Sequence, residues 1–189
     1  TDLIGECGTV NYTPGKFYDK APLQTTNSEG DFYVWTNAQS TQEVKDYEPL
    51  RGYLVNLFDG NNETYFHSDY SGANSNDGKD HHITIKLGNN VVSKFKFKYI
   101  TRHDAETNYP KTIKIQGSVD GTNFDEIKTI TDLPTGNTKT YESEYIEANE
   151  YYSYLRFMVT ANNNNNLQGG HPIFHMAEFE LAIEGLPES

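Results

Sequence analysis

The sequence predicts an all-β protein of antiparallel strands, folded as a sandwich or a barrel. Apolar residues alternate with polar ones, Gly- and Asp-containing turns separate these runs, and no helical stripe extends beyond about two turns. A length of 189 residues favours one domain with one core. We expect residues 1–30 to be an irregular lead-in, with room for one short strand, and residues 31–189 to be the β domain.

The strands are predicted from the alternation itself. In the run 93–101, Phe95, Phe97 and Tyr99 share one face and three lysines share the other, which is typical of a half-buried strand. The run 112–130 holds Asp120-Gly121 between two alternating halves and predicts a hairpin. Four further runs alternate in the same way: 82–87, 139–148, 153–161 and 175–183.

Charge and cysteine content exclude several classes of partner. The formal net charge is -12, so nucleic acid and anionic lipid are not expected partners, because both need a basic surface. The single cysteine, Cys7, excludes a disulfide within the chain and a cysteine-based zinc site. No apolar run of about 18 residues is present, so we expect no membrane insertion. No charged-then-apolar leader is present either, and an export signal would lie outside these residues.

The run LFDGNNETYFHSDYSG, residues 57–72, contains a turn rich in oxygen atoms. Asp59, Asn61 and Thr64 offer a carboxylate, an amide and a hydroxyl within six residues. Oxygen ligands in a tight turn suit calcium, although the spacing is not that of an EF-hand. A turn in which the aspartate caps its own backbone explains the same residues. Composition leaves both interpretations open.

The order of motifs resembles the discoidin family, also called the coagulation-factor type C domain. The motifs are NLFDGNNETYFHS, HHITIKLG, KFKFKYITR, IKIQGSVDGTNFDEI and a closing HMAEFEL. The resemblance covers about residues 31–183 and is greatest to the bacterial family 32 carbohydrate-binding modules. One departure is Lys86, which stands before Leu87 where the family has an acid. The resemblance implies an antiparallel β-sandwich of the jelly-roll, galactose-binding-domain-like type.

The resemblance also implies a structural calcium ion between the early turn and the last strand. Side chains of Asp59, Thr64 and Glu178 and carbonyls near Asn61 and Ala177 would supply its ligands. The ion would hold the first and last strands together.

A sugar site is implied at loops at one end of the sandwich. In the family a histidine after the turn, an arginine that ends a strand, a later asparagine and a loop aromatic form it; these match His67, Arg102 and Asn108. A pyranose presents hydroxyls to such polar groups and C–H groups to a ring. The candidate rings are Tyr70, Tyr109 and Phe174.

We therefore expect a non-catalytic carbohydrate-binding module of an extracytoplasmic protein, with a glycan as partner and further domains in the same protein. Two alternatives remain: a protein-interaction or adhesion domain with a degenerate sugar site, and the accessory domain of a glycoside hydrolase. A zinc site at the remaining histidines is not favoured, because His81 and His82 point to opposite faces of a strand. The Asn-rich run 162–166 is either a binding loop or a solvated connector.

Overall fold

The computed structural model describes residues 2–4, 9–11, 33–47, 50–71, 75, 77–88 and 91–183. Two antiparallel sheets dominate it. The five strands of the first sheet are β3 (Tyr33–Thr36), β6 (His82–Lys86), β8 (Pro110–Ser118), β9 (Asp125–Ile130) and β12 (Tyr154–Asn162). Their order in the sheet is β3-β6-β12-β8-β9.

The four strands of the second sheet are β7 (Val92–Ile100), β10 (Thr140–Glu142), β11 (Ile146–Tyr152) and β16 (Glu178–Ile183). The central strand is β7, which pairs with β16 along one side and with β10 and β11 along the other. In the register of β7 with β16, Phe97 lies opposite Leu181 and Lys98 lies opposite Glu180. Apolar and charged residues therefore fall on separate faces of this sheet.

The core lies between the two sheets and is rich in aromatic rings. Phe95, Phe97 and Tyr99 of β7 are each at most 1% exposed. The rings of Phe97 and Phe157, from opposite sheets, have their centroids 5.0 Å apart. Between them the sheets bury a continuous apolar layer, which is the arrangement expected of a β-sandwich.

Short elements surround one end of the sandwich. They are β4 (Arg51–Gly52), β5 (Tyr65–His67), β13 (Leu167–Gln168), β14 (His171–Pro172), β15 (His175–Met176), helix α1 (Thr41–Tyr47) and a 3-10 helix (Leu54–Phe58). β15, β5 and β4 form a small sheet, and β13 pairs with β14. Within the described residues, no helix has the length and apolarity needed to cross a membrane.

Helix α1 packs closely against the backbone of β4 at Gly52. A Cβ added to Gly52 would lie 3.0 Å from Val44 Cγ2 and 3.1 Å from Glu43 Cβ, and the φ angle of Gly52 is +91°. Only glycine combines this conformation with this approach at low cost. The contact sets the position of α1 next to Arg51.

The structure confirms the all-β sandwich and the predicted alternation. Phe95, Phe97 and Tyr99 face the core, and the run 112–130 forms the β8–β9 hairpin. In the lead-in the structure describes two short antiparallel strands, β1 (Asp2–Ile4) and β2 (Thr9–Asn11), instead of at most one. A strand this short needs a hydrogen-bonding partner, so the two form together. The rest of residues 1–30 lies outside the described residues.

Candidate functional site

An open cleft of about 370 Å³ lies at the end of the sandwich that carries the short elements. One side is formed by α1, β4 and the segment after β5, and the other by the chain after β7 and the Asn-rich loop. The residues that line it are Glu43, Tyr47, Arg51, His67, Tyr70, Arg102, Asn108, Asn166, Gln168 and Ile173. Four of the residues predicted for sugar contact, His67, Tyr70, Arg102 and Asn108, thus meet in one cleft.

Two arginines and two tyrosine rings form a stacked series along the cleft. The guanidinium of Arg102 lies 4.0 Å from the ring centroid of Tyr65, and that of Arg51 lies 5.8 Å from Tyr65 and 4.3 Å from Tyr47. Asp104 Oδ1 accepts a hydrogen bond from Arg102 Nε at 2.7 Å, and Asp104 Oδ2 lies 3.6 Å from Arg51 Nη2. No described residue hydrogen-bonds to the terminal amino groups of Arg102. The guanidinium is therefore fixed by its Nε while its terminal N–H groups can donate to a ligand.

Glu43 holds one side of the cleft together. It is 5% exposed, and its carboxylate accepts hydrogen bonds from Tyr65 Oη at 3.1 Å and Tyr70 Oη at 2.6 Å. Its backbone N–H donates to Ser40 Oγ at 3.1 Å, which caps the start of α1. Burial, followed by the hydrogen bond to Glu43, raises the pKa of Tyr70. Tyr70 therefore stays a neutral donor whose position is set by a buried carboxylate.

His67 faces the cleft in a defined tautomer. Its Nδ1 lies 2.7 Å from the carbonyl oxygen of Ser68, which can only accept, so the proton is on Nδ1. Burial lowers the pKa of His67 despite this hydrogen bond, and the charge of Arg102 lowers it further. A neutral His67 with a protonated Nδ1 has Nε2 left as a hydrogen-bond acceptor.

The Asn-rich loop forms part of the cleft wall, which favours a binding loop over a solvated connector. Asn162 is 2% exposed, and its amide nitrogen donates to the carbonyls of Asn166 and Ile173, each at 2.8 Å. Asn166 Nδ2 in turn donates to Asn108 Oδ1 at 3.2 Å. Asn108 has a φ of 70°, an uncommon left-handed conformation that asparagine tolerates better than most residues.

Two of the predicted rings do not line the cleft, and that part of the expectation is corrected. Tyr109 is 1% exposed, and its hydroxyl donates to Ala105 O at 2.7 Å. Phe174 is fully buried, and its ring lies 5.5 Å from that of Phe66. Both side chains are directed into the interior by the strand or loop that carries them, so neither ring can present a face to a ligand here.

Sequence reasoning missed Glu43, Arg51 and Tyr47. A signal for the first was present: Ser40-Thr41-Gln42-Glu43 has the spacing of a capping box, which predicts a helix start. The serine makes the expected bond, whereas the glutamate side chain turns to the two tyrosines. Nothing in the sequence indicated that this helix borders the cleft.

The turn after the 3-10 helix lies against the start of β16. Glu178 accepts hydrogen bonds from Gly60 N at 3.2 Å and Asn61 N at 3.0 Å, and Thr64 Oγ1 donates to Asp59. Burial, then the neighbouring Asp59 carboxylate, raises the pKa of Glu178 to about 9. Asp59 Oδ1 also caps the turn by accepting from Asn61 N at 2.9 Å. The aspartate thus has the capping role of a tight turn, and its carboxylate also lies beside that of Glu178.

Ala177, the remaining predicted calcium ligand, precedes Glu178 and is fully buried. Its N–H donates to Ile100 O at 2.9 Å, which fixes the start of β16 beside the turn.

Among the residues that the structure describes, no group of three or more His, Cys, Asp or Glu side chains is arranged to hold a metal ion. The histidines have protein partners instead. His81 Nδ1 lies 2.8 Å from Ser68 Oγ, and His82 and His171 contact aspartate carboxylates at 2.9 and 2.7 Å.

Solved structures with a similar fold come from bacterial proteins. The C-terminal domain of a chitobiase from Bacteroides fragilis is 19% identical, with a TM-score of 0.60 over 86% of this chain and 99% of that one. CpGH89CBM32-5 from Clostridium perfringens, in complex with GalNAc-β-1,3-galactose, is 18% identical, with a TM-score of 0.55 over 79% of this chain and 94% of that one.

A third structure places the same fold within a larger assembly of domains. It contains the CBM32-1, CBM32-2 and M60 catalytic domains of ZmpB from Clostridium perfringens. It is 16% identical, with a TM-score of 0.55 over 80% of this chain and 14% of that one. At these identities the likeness establishes a shared fold.

The family itself is established from the sequence. The model of the F5/8 type C domain matches residues 35–172, which is well over half of the chain. The match includes the turn, Arg102 after β7 and the Asn-rich loop. The chain therefore belongs to the F5/8 type C, or discoidin-like, domain family.

Proposed function

We propose that this domain is a non-catalytic carbohydrate-binding module that holds a terminal sugar of a glycan in the cleft. The observation that carries the proposal is the convergence of His67, Arg102 and Asn108 at an open cleft. A solved structure of the same fold, CpGH89CBM32-5, is in complex with GalNAc-β-1,3-galactose, which supports a saccharide as the ligand.

The polar groups complement a pyranose. The terminal amino groups of Arg102 donate to sugar hydroxyl or ring oxygens, and His67 Nε2 accepts from a hydroxyl. Asn108 offers an amide beside them, which can donate to one hydroxyl while its oxygen engages Asn166. Because Asp104 and Tyr65 hold the arginine in advance, little side-chain entropy is lost when a sugar binds.

Affinity for a single sugar is expected to be weak. Each hydrogen bond to the protein replaces one to water, and few atoms are buried, so Kd is about 10⁻³ to 10⁻⁵ M. Domains elsewhere in a larger extracytoplasmic protein would then add avidity. The catalytic domain beside two such modules in ZmpB supports an accessory role of this kind.

Calorimetric titration with galactose, N-acetylgalactosamine, N-acetylglucosamine and sialic acid tests the proposal. We expect saturable heat for at least one sugar and a loss of about 10- to 100-fold in affinity for Arg102→Ala, because a hydrogen bond to a charged group is removed. Lys128→Ala, an exposed change on β9, serves as the control and should bind as the unchanged protein does. No heat with any of the four sugars, or an unfolded Arg102→Ala variant, would contradict this role of the cleft and its arginine.

We also propose that a calcium ion belongs at the turn between Asp59 and Glu178. Without a cation, burial and then the neighbouring Asp59 raise the pKa of Glu178, so the state in which both carboxyl groups are charged is disfavoured until a cation binds. Carboxylate, hydroxyl and carbonyl oxygens are the donors that calcium prefers, and Asp59, Thr64 and the Asn61 carbonyl already lie together. The donors present therefore fit a hard cation, whose role would be to join the turn to β16.

A further inference from the structure

The outer face of the five-stranded sheet is basic, although the protein as a whole is acidic. Within their described ranges, β3, β6, β8 and β12 contain no Asp or Glu, and their basic residues are Lys86, Lys111, Lys114 and Arg156. The acids of this sheet are on the edge strand β9. Lysines on the outer face of the second sheet instead have glutamate carboxylates 2.9 to 3.5 Å away. In a chain with a net charge of -12, positive charge is thus concentrated on one face.

Three of these basic residues lie on one diagonal across the face. Arg156 is on the central strand β12. Lys86 of β6 pairs with the residue two before Arg156, and Lys114 of β8 pairs with the residue two after it. Residues two apart on a strand share a face, and diagonal neighbours on adjacent strands are about 7 to 8 Å apart. An anionic chain that crosses the strands obliquely would therefore meet three cations in turn.

Arg156 is held in a fixed position. It is 6% exposed, its Nε donates to Thr84 Oγ1 at 2.8 Å, and its Cζ lies 3.7 Å from the ring centroid of Phe124. Thr84 Oγ1 lies 2.8 Å from His82 Nδ1, and His82 Nε2 lies 2.9 Å from Asp77 Oδ2. The carboxylate that ends this series of hydrogen bonds is therefore separated from Arg156 by two side chains.

The terminal amino groups of Arg156 have hydrogen-bond capacity left for a ligand. No described residue hydrogen-bonds to them. Burial lowers the pKa of Arg156 to about 10, although the charge of Asp77 raises it, so the side chain is still a cation at neutral pH. A nearly buried cation with N–H donors to spare and no direct carboxylate partner favours an oxyanion from outside the chain.

Aromatic rings lie beside these cations. The ring of Tyr154 meets that of Trp35 at 6.2 Å and that of Phe124 at 6.5 Å, both close to edge-on, and all three residues are partly exposed. The strongly exposed large apolar side chains of the described residues all lie outside these four strands. A protein partner would need an apolar centre to its interface. Cations between partly exposed rings instead suit a charged chain of sugars, which offers carboxylates to the cations and C–H groups to the rings.

We propose that this surface, which comprises Trp35, Lys86, Lys114, Tyr154 and Arg156 and is called here the basic face, binds an acidic polysaccharide. The carboxylates of the polymer would lie against the three cations, and the Arg156 amino groups would hold one of them through two hydrogen bonds. None of these five residues lines the cleft, so the inference does not depend on the proposed function.

Polygalacturonate and its methyl-esterified form are matched probes, because esterification removes the charge and keeps the sugar. In calorimetric titrations we expect the charged polymer to bind, and to bind several-fold more weakly when NaCl is raised from about 20 to about 200 mM. The esterified polymer should bind about 10-fold more weakly than the charged one at low salt. Poly-glutamate of similar length should also bind about 10-fold more weakly, since it offers charge without sugar rings.

Two pairs of lysine substitutions test the location. Arg156→Ala removes a nearly buried side chain and endangers the fold, so the variant is Lys86→Gln with Lys114→Gln, which should weaken polygalacturonate binding about 3- to 10-fold. Lys96→Gln with Lys98→Gln removes the same charge from half-buried lysines on the outer face of the second sheet and serves as the control. It should bind as the unchanged protein does.

Competition separates the basic face from the cleft. A monosaccharide that saturates the cleft should leave the affinity for polygalacturonate unchanged. Displacement of the polymer by that sugar, or an equal loss of affinity in both lysine pairs, would overturn the inference, as would equally tight binding of poly-glutamate or no binding of polygalacturonate. None of these results affects the proposed function, which is tested with the four monosaccharides.

Discussion

His67 shows how a single side chain is prepared for ligand contact by its neighbours. The Ser68 carbonyl fixes the proton on Nδ1, and burial keeps the ring neutral. Glu43, Asp69, Arg102 and His175 are the charged or titratable groups that influence it. The outcome is an acceptor at Nε2 over the whole neutral pH range.

Sugar affinity should therefore be constant between about pH 8 and pH 6 and should decline only on further acidification. The pKa of His67 is lowered, so the neutral form persists below pH 6.5, and protonation of Nε2 would replace the acceptor with a donor. Titrations over this range, with circular dichroism at each pH to confirm that the protein is folded, provide the check. A fall in affinity with its midpoint at about pH 6.5 would mean that the ring titrates as in water.

For single residues, the sequence predicted which side chains line the cleft when they belong to a family motif. It did not do so when burial in the folded protein determines the direction of the side chain. Arg102 and Asn108 were predicted because they match the family's sugar-site pattern, and both line the cleft. Tyr109 and Phe174 were chosen only as aromatics near a loop, and their direction depends on tertiary packing. No local pattern distinguishes such a ring from one that stays at the surface.

At the scale of elements, the turn at Asp59 and the start of β16 meet through Glu178, which accepts from two backbone N–H groups of the turn. The hydrogen bonds alone bring two carboxylates together. A cation between them would favour the charged form of both carboxyl groups, and the first and last parts of the domain would be joined.

Calcium at about 100 times its Kd should raise Tm by about 5 to 10 °C, since binding to the folded state alone contributes about 2.7 kcal/mol. Glu178→Gln should melt close to the calcium-free unchanged protein, because a pKa of about 9 leaves Glu178 neutral at pH 7 when no cation is bound, and should lose most of the calcium response. Differential scanning calorimetry with calcium and with a chelator measures both. Glu180→Gln, two residues on and paired with Lys98, is the control. If a chelator leaves the melt of the unchanged protein as it was, the metal proposal fails.

The long strands were predictable because their alternation extends over six to nine residues, as in β7 and β8. The elements that build the cleft were not. β4 has two residues, β5 has three and α1 has seven, which is too short for a periodic signal. Their positions depend on contacts such as Gly52 against Val44, which only the tertiary structure provides.

For the whole molecule, buried histidines and the acidic surface have opposite effects on stability at low pH. His81 and His82 are fully buried, and burial lowers the pKa of each to about 4. Unfolding returns them to about 6.5, so the unfolded state binds more protons between these values and stability is lost as pH falls through that window. The net charge of -12 at pH 7 acts the other way, because protonation of surface acids relieves self-repulsion.

We expect the effect of the buried histidines to exceed that of the acidic surface, so the free energy of unfolding should be lower at pH 5 than at pH 7. Each of the two buried histidines lowers the free energy of unfolding by roughly 1 to 2 kcal/mol at pH 5. This loss exceeds the stabilisation gained when screened surface acids are protonated. Urea denaturation at both pH values measures the difference. His81→Gln should reduce it, while His103→Gln, whose side chain is 33% exposed, should not. A protein that is more stable at pH 5 would show that surface repulsion prevails.

The proposed function depends most on what the cleft holds. A crystal of the protein soaked with a saturating mixture of galactose, N-acetylgalactosamine, N-acetylglucosamine and sialic acid measures this directly. We predict one pyranose in the cleft, with hydroxyls within hydrogen-bonding distance of the Arg102 amino groups and His67 Nε2. A sugar bound only on another face, or a cleft that stays empty at saturation, would contradict the account.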